Sequence, residues 1–139
     1  MSFDDSCIFC RIVHKQAPAS IIYENKTVLS FLDIRPLNIG HTLVIPKSHN
    51  IDIFDIPEKE LAKIYKISKQ ISIAVKKATN ADGISLIQQN GKAAGQDIFH
   101  LHVHVIPRFE GQKLPSFSEL KEVDRGKLEN MAETIKKQL

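Results

Sequence analysis

The 139-residue sequence has no tryptophan, only two cysteines, and no apolar run long enough to cross a membrane. A transmembrane helix needs roughly 20 consecutive apolar residues, so we expect no membrane association. The first six residues, MSFDDS, are acidic where a secretory leader would be basic. The scarcity of cysteine argues against a disulfide scaffold. We therefore predict a cytoplasmic location and leave the nucleus open.

Charge of one sign is also scarce, since the formal net charge is only +3 and the lysines are spread along the chain. A nucleic-acid-binding protein usually carries a clustered basic patch, so we expect no nucleic-acid partner. The small positive charge would still tolerate an anionic small molecule. The length, with 42% hydrophobic and 25% charged residues, is typical of one soluble domain.

Hydrophobic periodicity predicts strands on both sides of one long helix, which favours an α+β fold on an antiparallel sheet. In the short helix or turn at 7–15, we expect Ile8 and Ile12 to face inward. The longest predicted helix spans 57–79, and another closes the chain at about 124–138. Strands are predicted at 21–24, 28–33, 41–46, 84–89 and 98–106.

The run FHLHVHV at 99–105 alternates strictly between histidine and apolar residues. In a strand, three imidazoles at this spacing share one face, while Phe99 and its apolar neighbours enter the core. A solvated face would usually mix other polar residues. A single metal suits the row poorly, because its outer members lie about 13 Å apart in an extended strand. A phosphate ester fits better, since neutral imidazole can attack phosphorus.

Cys7 and Cys10 form a Cys-x-x-Cys pair. Such a pair can be redox-active, metal-binding or incidental, although the strand before it that a thioredoxin-like site requires is absent. The residues themselves leave these alternatives open.

Several separated motifs resemble the histidine triad family: CIFC at 7–10, GHTLVIPK at 40–47, GQ at 95–96 and HLHVHVIPR at 100–108. The resemblance implies a single α+β domain over 1–139, with its core at about 7–108 and an extension at 109–139 ending in a helix. It implies an antiparallel sheet of about five strands, one long helix and further helices near both termini. It also implies a homodimer in which two sheets become continuous.

The resemblance implies a hydrolase or transferase that releases a nucleoside monophosphate through a nucleotidyl-histidine intermediate on His102. His104 and His41 would contact the phosphate oxygens, Gln96 would reach the phosphate or leaving group, and Asp33 would hold the ribose hydroxyls. The implied nucleotide-binding set is Ile8, Phe9, Phe31, Asp33, Ile34, Leu43, Gln89, Gly95, Gln96, Asp97, Ile98, His102 and His104.

The resemblance also implies one structural zinc ion bound by Cys7, Cys10, His49 and His100. Two thiolates and two imidazoles make a closed tetrahedral site with no position for water. His102 would then remain available for chemistry.

Four functions stay open on sequence. The first is hydrolysis of purine nucleoside phosphoramidates or aminoacyl adenylates, and the second is hydrolysis of dinucleoside polyphosphates. The third is a zinc-stabilised nucleotide-binding module with little catalysis, and the fourth is metal storage or sensing. Asp97 stands where the family often has Ser or Thr, and we hypothesise that its carboxylate favours an aminated leaving group.

Overall fold

The structure is a computed structural model and describes residues 2–139. Within this range the strands form one antiparallel sheet in the order β1-β2-β3-β5-β4. This arrangement confirms the predicted α+β fold. The helices are α1 (Ile8–Val13), α2 (Glu58–Thr79) and α3 (Arg125–Lys136), and the strands are β1 (Ile21–Glu24), β2 (Val28–Leu32), β3 (Thr42–Pro46), β4 (Gly83–Gln88) and β5 (Val103–Arg108).

The two faces of the sheet have different partners. On the first face, Val44 and Val105 belong to a buried cluster with Ile64 and Ile71 of α2 and with residues of α3. The second face is covered by α1, where Phe9 and Ile12 form a smaller cluster with Phe31 and Leu43. Strands β2 and β3 are consequently buried at every position. They therefore read as continuous apolar runs rather than alternating ones.

The strand register places Ile21, Phe31, Leu43, His104 and Ile87 in one row across the sheet. Directly opposed residues point to the same face, so His104 lies on the second face with Phe31 and Leu43. Neighbouring strands are about 4.8 Å apart, so roughly 14 Å separates β1 from β5 along this row. This separation is the width of the second face between β1 and β5.

The strand predicted at 98–106 begins later, at Val103, which is a correction to the sequence analysis. Pro46 ends β3 and has no N–H, so the ladder between β3 and β5 does not extend past their Val44–Val103 pair. Upstream, the Leu101 N–H donates instead to the Asn50 carbonyl at 2.7 Å. Phe99, expected in the core, is 47% exposed because it lies on the bend before the strand.

The C-terminal part of the chain packs onto the same body as the rest. Leu128 and Ile135 of α3 are buried in the cluster of the first face. The Asp124 side chain accepts the Lys127 N–H and caps the helix. Just before it, the Val123 N–H donates to the Ile34 carbonyl at 2.9 Å. Among residues 2–139, no helix is both long and apolar enough to cross a bilayer.

Candidate active site and metal centre

A cavity of about 670 Å³ opens on the second face of the sheet, between α1, the β2–β3 loop and the C-terminal segment. Ile8 was expected to face inward; it is 42% exposed and lies at the cavity rim. One end of the cavity is apolar and the other is rich in imidazole, amide and carboxylate groups. Every predicted nucleotide-contacting residue except Gln96 lines it: Ile8, Phe9, Phe31, Asp33, Ile34, Leu43, Gln89, Gly95, Asp97, Ile98, His102 and His104.

His102 lies immediately before β5 and is 4% exposed. Its Nδ1 is 2.7 Å from the His100 carbonyl oxygen. A carbonyl can only accept, so Nδ1 carries the proton and Nε2 keeps an unshared pair. Burial lowers the pKa of His102, so the neutral ring predominates at pH 7. The geometry and the protonation state together suit a nucleophile.

A chain of hydrogen bonds sets the tautomers of two further histidines. The Leu37 N–H donates to His41 Nδ1 at 3.0 Å, so the proton of the neutral His41 ring is on Nε2. This Nε2–H donates to His104 Nδ1 at 2.9 Å, which leaves the His104 proton on Nε2 as a donor to a ligand. Burial lowers the pKa of His41 to about 3 and that of His104 to about 4. His41 itself is fully buried, does not line this cavity, and is hydrogen-bonded to His104, which does.

Asp33 follows β2 and lines the cavity with one edge of its carboxylate. The Arg35 N–H donates to its Oδ1 at 2.9 Å, and its Oδ2 is 3.5 Å from His41 Nε2. Because His41 stays neutral, this contact is not an ion pair. Burial raises the pKa of Asp33 to about 6, against the lowering effect of the Arg35 N–H. The carboxylate is therefore mostly ionised at pH 7.

Asp33, His41 and His104 bring one potential ligand atom each within 4.8 Å of the others. A metal ion there would need the lone pair of His41 Nε2. The Leu37 N–H occupies the lone pair of Nδ1, so Nε2 must keep its proton. These three residues therefore form a hydrogen-bonded chain rather than a metal site.

The loop at 90–96 forms the polar end of the cavity. Gly95 has φ +94°, and a Cβ there would lie 2.6 Å from Gln89 Nε2, so glycine allows the Gln89 amide to pack against the loop. Gln96 is 2% exposed and does not line the cavity. Its Oε1 accepts the Gly91 N–H at 2.8 Å, and its Nε2 donates to the carbonyls of Ile51 and Ile98. The structure thus places Gln96 behind the wall, where its amide holds the loop.

The four predicted metal ligands come together beside the first histidine of the row. Sulfur-to-Nδ1 distances are 3.4 Å for Cys7–His100, 3.3 Å for Cys10–His49 and 3.6 Å for Cys10–His100. Tetrahedral zinc with ordinary bond lengths separates a sulfur from a nitrogen ligand by roughly 3.6 Å. The His100 Nε2–H donates to the Pro46 carbonyl at 2.8 Å, so Nδ1 is the unprotonated atom facing the thiols. The residues therefore fit zinc.

Four residues of the C-terminal segment line the cavity and were not predicted: Phe117, Ser118, Leu120 and Arg125. The Phe117 ring lies 5.2 Å from that of His104. The stretch after Arg108 carries no motif, and only the aromatic Phe117 in a polar run could have indicated a contact with the rest of the domain.

The fold and the site therefore define a class of protein: an α+β sheet that carries neutral imidazoles beside an amphipathic cavity. The family model of the HIT domain matches residues 14–111, and the chain belongs to this family, whose members are typically nucleotide hydrolases. An uncharacterised HIT-like protein of Methanocaldococcus jannaschii is 44% identical over 119 residues, which cover 85% of this chain and 92% of that protein.

Two further comparisons bear on zinc and on chemistry. A Zn-bound histidine triad family protein of Mycobacterium smegmatis aligns with a TM-score of 0.85 and 42% identity, covering 96% of this chain and 92% of that chain. The protein named adenylylsulfatase HINT3 of Arabidopsis thaliana is 40% identical over 109 residues, which cover 78% of this chain and 55% of that protein.

Proposed function

We propose that this protein hydrolyses purine nucleoside phosphoramidates by attack of His102 on the α-phosphate, with a nucleotidyl-histidine intermediate. The observation that carries the proposal is the 2.7 Å hydrogen bond from His102 Nδ1–H to the His100 carbonyl. It leaves an unprotonated Nε2 on a residue that lines a nucleotide-sized cavity. We further propose that residues 1–139 form one HIT domain.

In the first step, the Nε2 pair of His102 forms a bond to the α-phosphorus as the bond from phosphorus to the amine nitrogen breaks. The substituted ring then carries a positive charge and keeps its Nδ1–H, which the His100 carbonyl stabilises. Water next attacks phosphorus as the bond from phosphorus to Nε2 breaks. This step releases the nucleoside monophosphate, returns the electron pair to neutral His102 and gives one water proton to solvent, which balances the proton taken up by the amine. Splitting one displacement into two in this way is the advantage of a covalent intermediate.

The His104 Nε2–H donates to a phosphate oxygen as charge develops there, and His41 fixes the tautomer that makes this possible. This differs from the expected direct contact of His41 with phosphate, because the buried ring reaches the ligand only through His104. Asp97 lines the same end of the cavity, where its carboxylate would pair with the amine once the departing nitrogen has taken up a proton from solvent water. Asp33 accepts from the ribose hydroxyls.

We propose that Cys7, Cys10, His49 and His100 hold a structural zinc ion. When bound, the ion cross-links α1, the loop after β3 and the segment that leads into β5. His100 also supplies the carbonyl that positions His102, so the metal site and the nucleophile share one short piece of backbone.

We also propose a cytoplasmic homodimer with a continuous sheet and without nucleic-acid or membrane partners. Support for the dimer comes from β4, an edge strand whose Leu86 is 46% exposed. On the neighbouring α2, Tyr65 and Ile73 are exposed as well. An apolar edge strand of this kind readily pairs with another copy. A light-scattering measurement that gives the mass of a single chain would contradict the proposed homodimer.

The decisive experiment measures AMP release from adenosine 5′-phosphoramidate by the parent and by His102→Ala. We expect turnover in the parent and a loss of roughly 10⁴-fold or more in the variant, as for removal of other catalytic nucleophiles. The exposed His14 provides a matched control, and His14→Ala should keep parental turnover. Undiminished turnover by His102→Ala would refute the mechanism.

A second candidate function is hydrolysis of adenylyl sulfate at the same site, with sulfate as the leaving group. The name of the Arabidopsis relative indicates this reaction for that protein. Dinucleoside polyphosphates are the corresponding phosphate alternative. Both leaving groups are anionic, and the Asp97 carboxylate would repel them more than an amine. Comparing kcat/KM for the phosphoramidate, adenylyl sulfate and diadenosine tetraphosphate ranks the three. Nucleotide binding without turnover of any of them would favour the binding module.

A further inference from the structure

The segment Phe117–Arg125 runs along one side of the cavity, from its reactive end to its apolar end. The ring centroids of Phe117 and His104 are 5.2 Å apart, and the Val123 N–H donates to the Ile34 carbonyl at 2.9 Å. At the other end, Arg125 Nη1 lies 3.5 Å from Ser20 Oγ. The segment Phe117–Arg125 therefore forms a wall parallel to the long axis of the cavity.

The strand register locates Arg125 relative to the chemistry. Ser20 directly precedes β1, and His104 lies on β5, three strands away, at roughly 14 Å. A nucleotide with its phosphorus at His102 and its ribose at Asp33 extends its base towards β1. The Arg125 guanidinium consequently stands at the end of the cavity where the base lies.

The guanidinium is held at this end but keeps most of its donors available. The buried Ser20 hydroxyl donates to Glu129 Oε1 at 2.7 Å, which leaves its oxygen to accept from Arg125. Among residues 2–139, Arg125 forms no ion pair within 4 Å. Ala19 precedes Ser20 and Leu32 donates its N–H to the Ser20 carbonyl, so both apolar side chains line the cavity near the anchor of Arg125. A ligand with acceptors is the natural partner of the remaining N–H groups.

We propose that Arg125 reads the base and makes the protein prefer 6-oxopurine nucleotides, those of guanine and hypoxanthine, over adenine nucleotides. Guanine and hypoxanthine place two acceptors, O6 and N7, on one edge, and a guanidinium can donate to both. Adenine places a donor amino group beside N7, so it offers one acceptor and opposes the second N–H. This preference rests on the proposed nucleotide site and adds a specificity-determining residue to it.

The test measures dissociation constants of GMP, IMP and AMP by calorimetry with the zinc-loaded protein, its Arg125→Met variant and a Lys127→Met control. Lys127 is a neighbouring cation of α3 that lines a separate cavity instead. We expect the parent to bind GMP and IMP about tenfold or more tightly than AMP. Arg125→Met should weaken GMP and IMP about tenfold and AMP less than threefold, and Lys127→Met should change none.

A similar response of IMP and GMP identifies O6 and N7 as the atoms read, because IMP lacks the 2-amino group. Equal affinities of the parent for the three nucleotides, or an equal loss for all three in Arg125→Met, would overturn the inference while leaving the nucleotide site intact. Failure of the parent to bind any nucleotide would overturn both. If Arg125→Met does not fold, Ser20→Ala replaces it in the test. This variant keeps the Arg125 guanidinium but removes the hydroxyl that holds it, and it must reduce the preference for GMP and IMP over AMP.

Discussion

Acid should weaken this fold through two buried histidines that take up protons far less readily in the folded protein than in the unfolded chain. The pKa is about 3 for His41 and about 4 for His104 in the folded protein, first because both rings are buried and second because each lies near other imidazoles. In the unfolded chain both return to about 6.5. As pH falls below 6.5, the unfolded chain binds protons that the folded protein does not. The stability contribution is therefore complete above pH 6.5 and is lost progressively, down to about pH 4 for His104 and about pH 3 for His41.

The size of the loss follows from these values. At pH 5, the unfolded pKa lies about 1.5 pH units above the solution pH, and each unit is worth about 1.4 kcal/mol, so each histidine costs about 2 kcal/mol. Asp33 acts in the opposite direction, since its folded pKa of about 6 exceeds its unfolded value. Its protonation favours the folded state by about 1 kcal/mol at pH 5. The three groups together cost about 3 kcal/mol, a large part of an ordinary folding free energy.

His41→Gln isolates one of these terms. Because the chain has no tryptophan, guanidinium unfolding is followed by circular dichroism at pH 7 and at pH 5. Zinc ligands also take up protons in acid, but they are common to both proteins and cancel in the difference. From pH 7 to pH 5 the variant should lose about 2 kcal/mol less than the parent, and the exposed control His14→Gln should match the parent. An equal loss in parent and His41→Gln would refute the assignment of His41 as a buried neutral ring.

Three further predictions concern the site. Asp33→Asn should reduce the preference for binding AMP over dAMP about tenfold, because the charged acceptor of the two ribose hydroxyls is lost. In the parent, the same preference should decline below pH 6 as Asp33 protonates. If the variant bound both nucleotides more weakly by the same factor, the ribose role of Asp33 would be contradicted. Cys10→Ser should lower the zinc content, measured by mass spectrometry, below one ion per chain, and it should lower the Tm. Full zinc retention by the variant would exclude Cys10 as a ligand. Asp97→Ser should shift kcat/KM from the phosphoramidate towards diadenosine tetraphosphate, and an unchanged ratio would disprove its effect on the leaving group.

The elements of this fold were largely predictable because their signals are local. The apolar stripe of α2 and the short β-rich runs place these elements within a few residues of their observed bounds. The exception is the start of β5, where strict alternation predicted a strand from residue 98. The ladder ends at Val103 because Pro46 on the neighbouring strand cannot donate, and periodicity within one segment cannot show which residue lies opposite.

All but one of the predicted nucleotide-contacting residues line the cavity, but the contacts of each side chain could be read only from the structure. His41 and Gln96 illustrate the difference, since both were expected at the phosphate and both lie behind the cavity wall. Each side chain is bonded to loop backbone: His41 to the Leu37 N–H, four residues earlier, and Gln96 to the Ile51 carbonyl, 45 residues earlier. Neither contact can be read from the motif around the side chain. Arg125 was missed for the opposite reason, because no motif surrounds it and only the path of the C-terminal segment brings it to the cavity.

The sequence by itself determined which chemical groups this protein can use, because the histidine row, the Cys-x-x-Cys pair and the apolar periodicities are properties of neighbouring residues. The tertiary structure alone decided what each imidazole does. His100, His102 and His104 are chemically identical, and they differ only in the partner of one ring nitrogen: the Pro46 carbonyl, the His100 carbonyl and the His41 Nε2–H. Those partners fix where each proton resides, and so they suit the three rings to the roles proposed for them: metal ligand, nucleophile and hydrogen-bond donor.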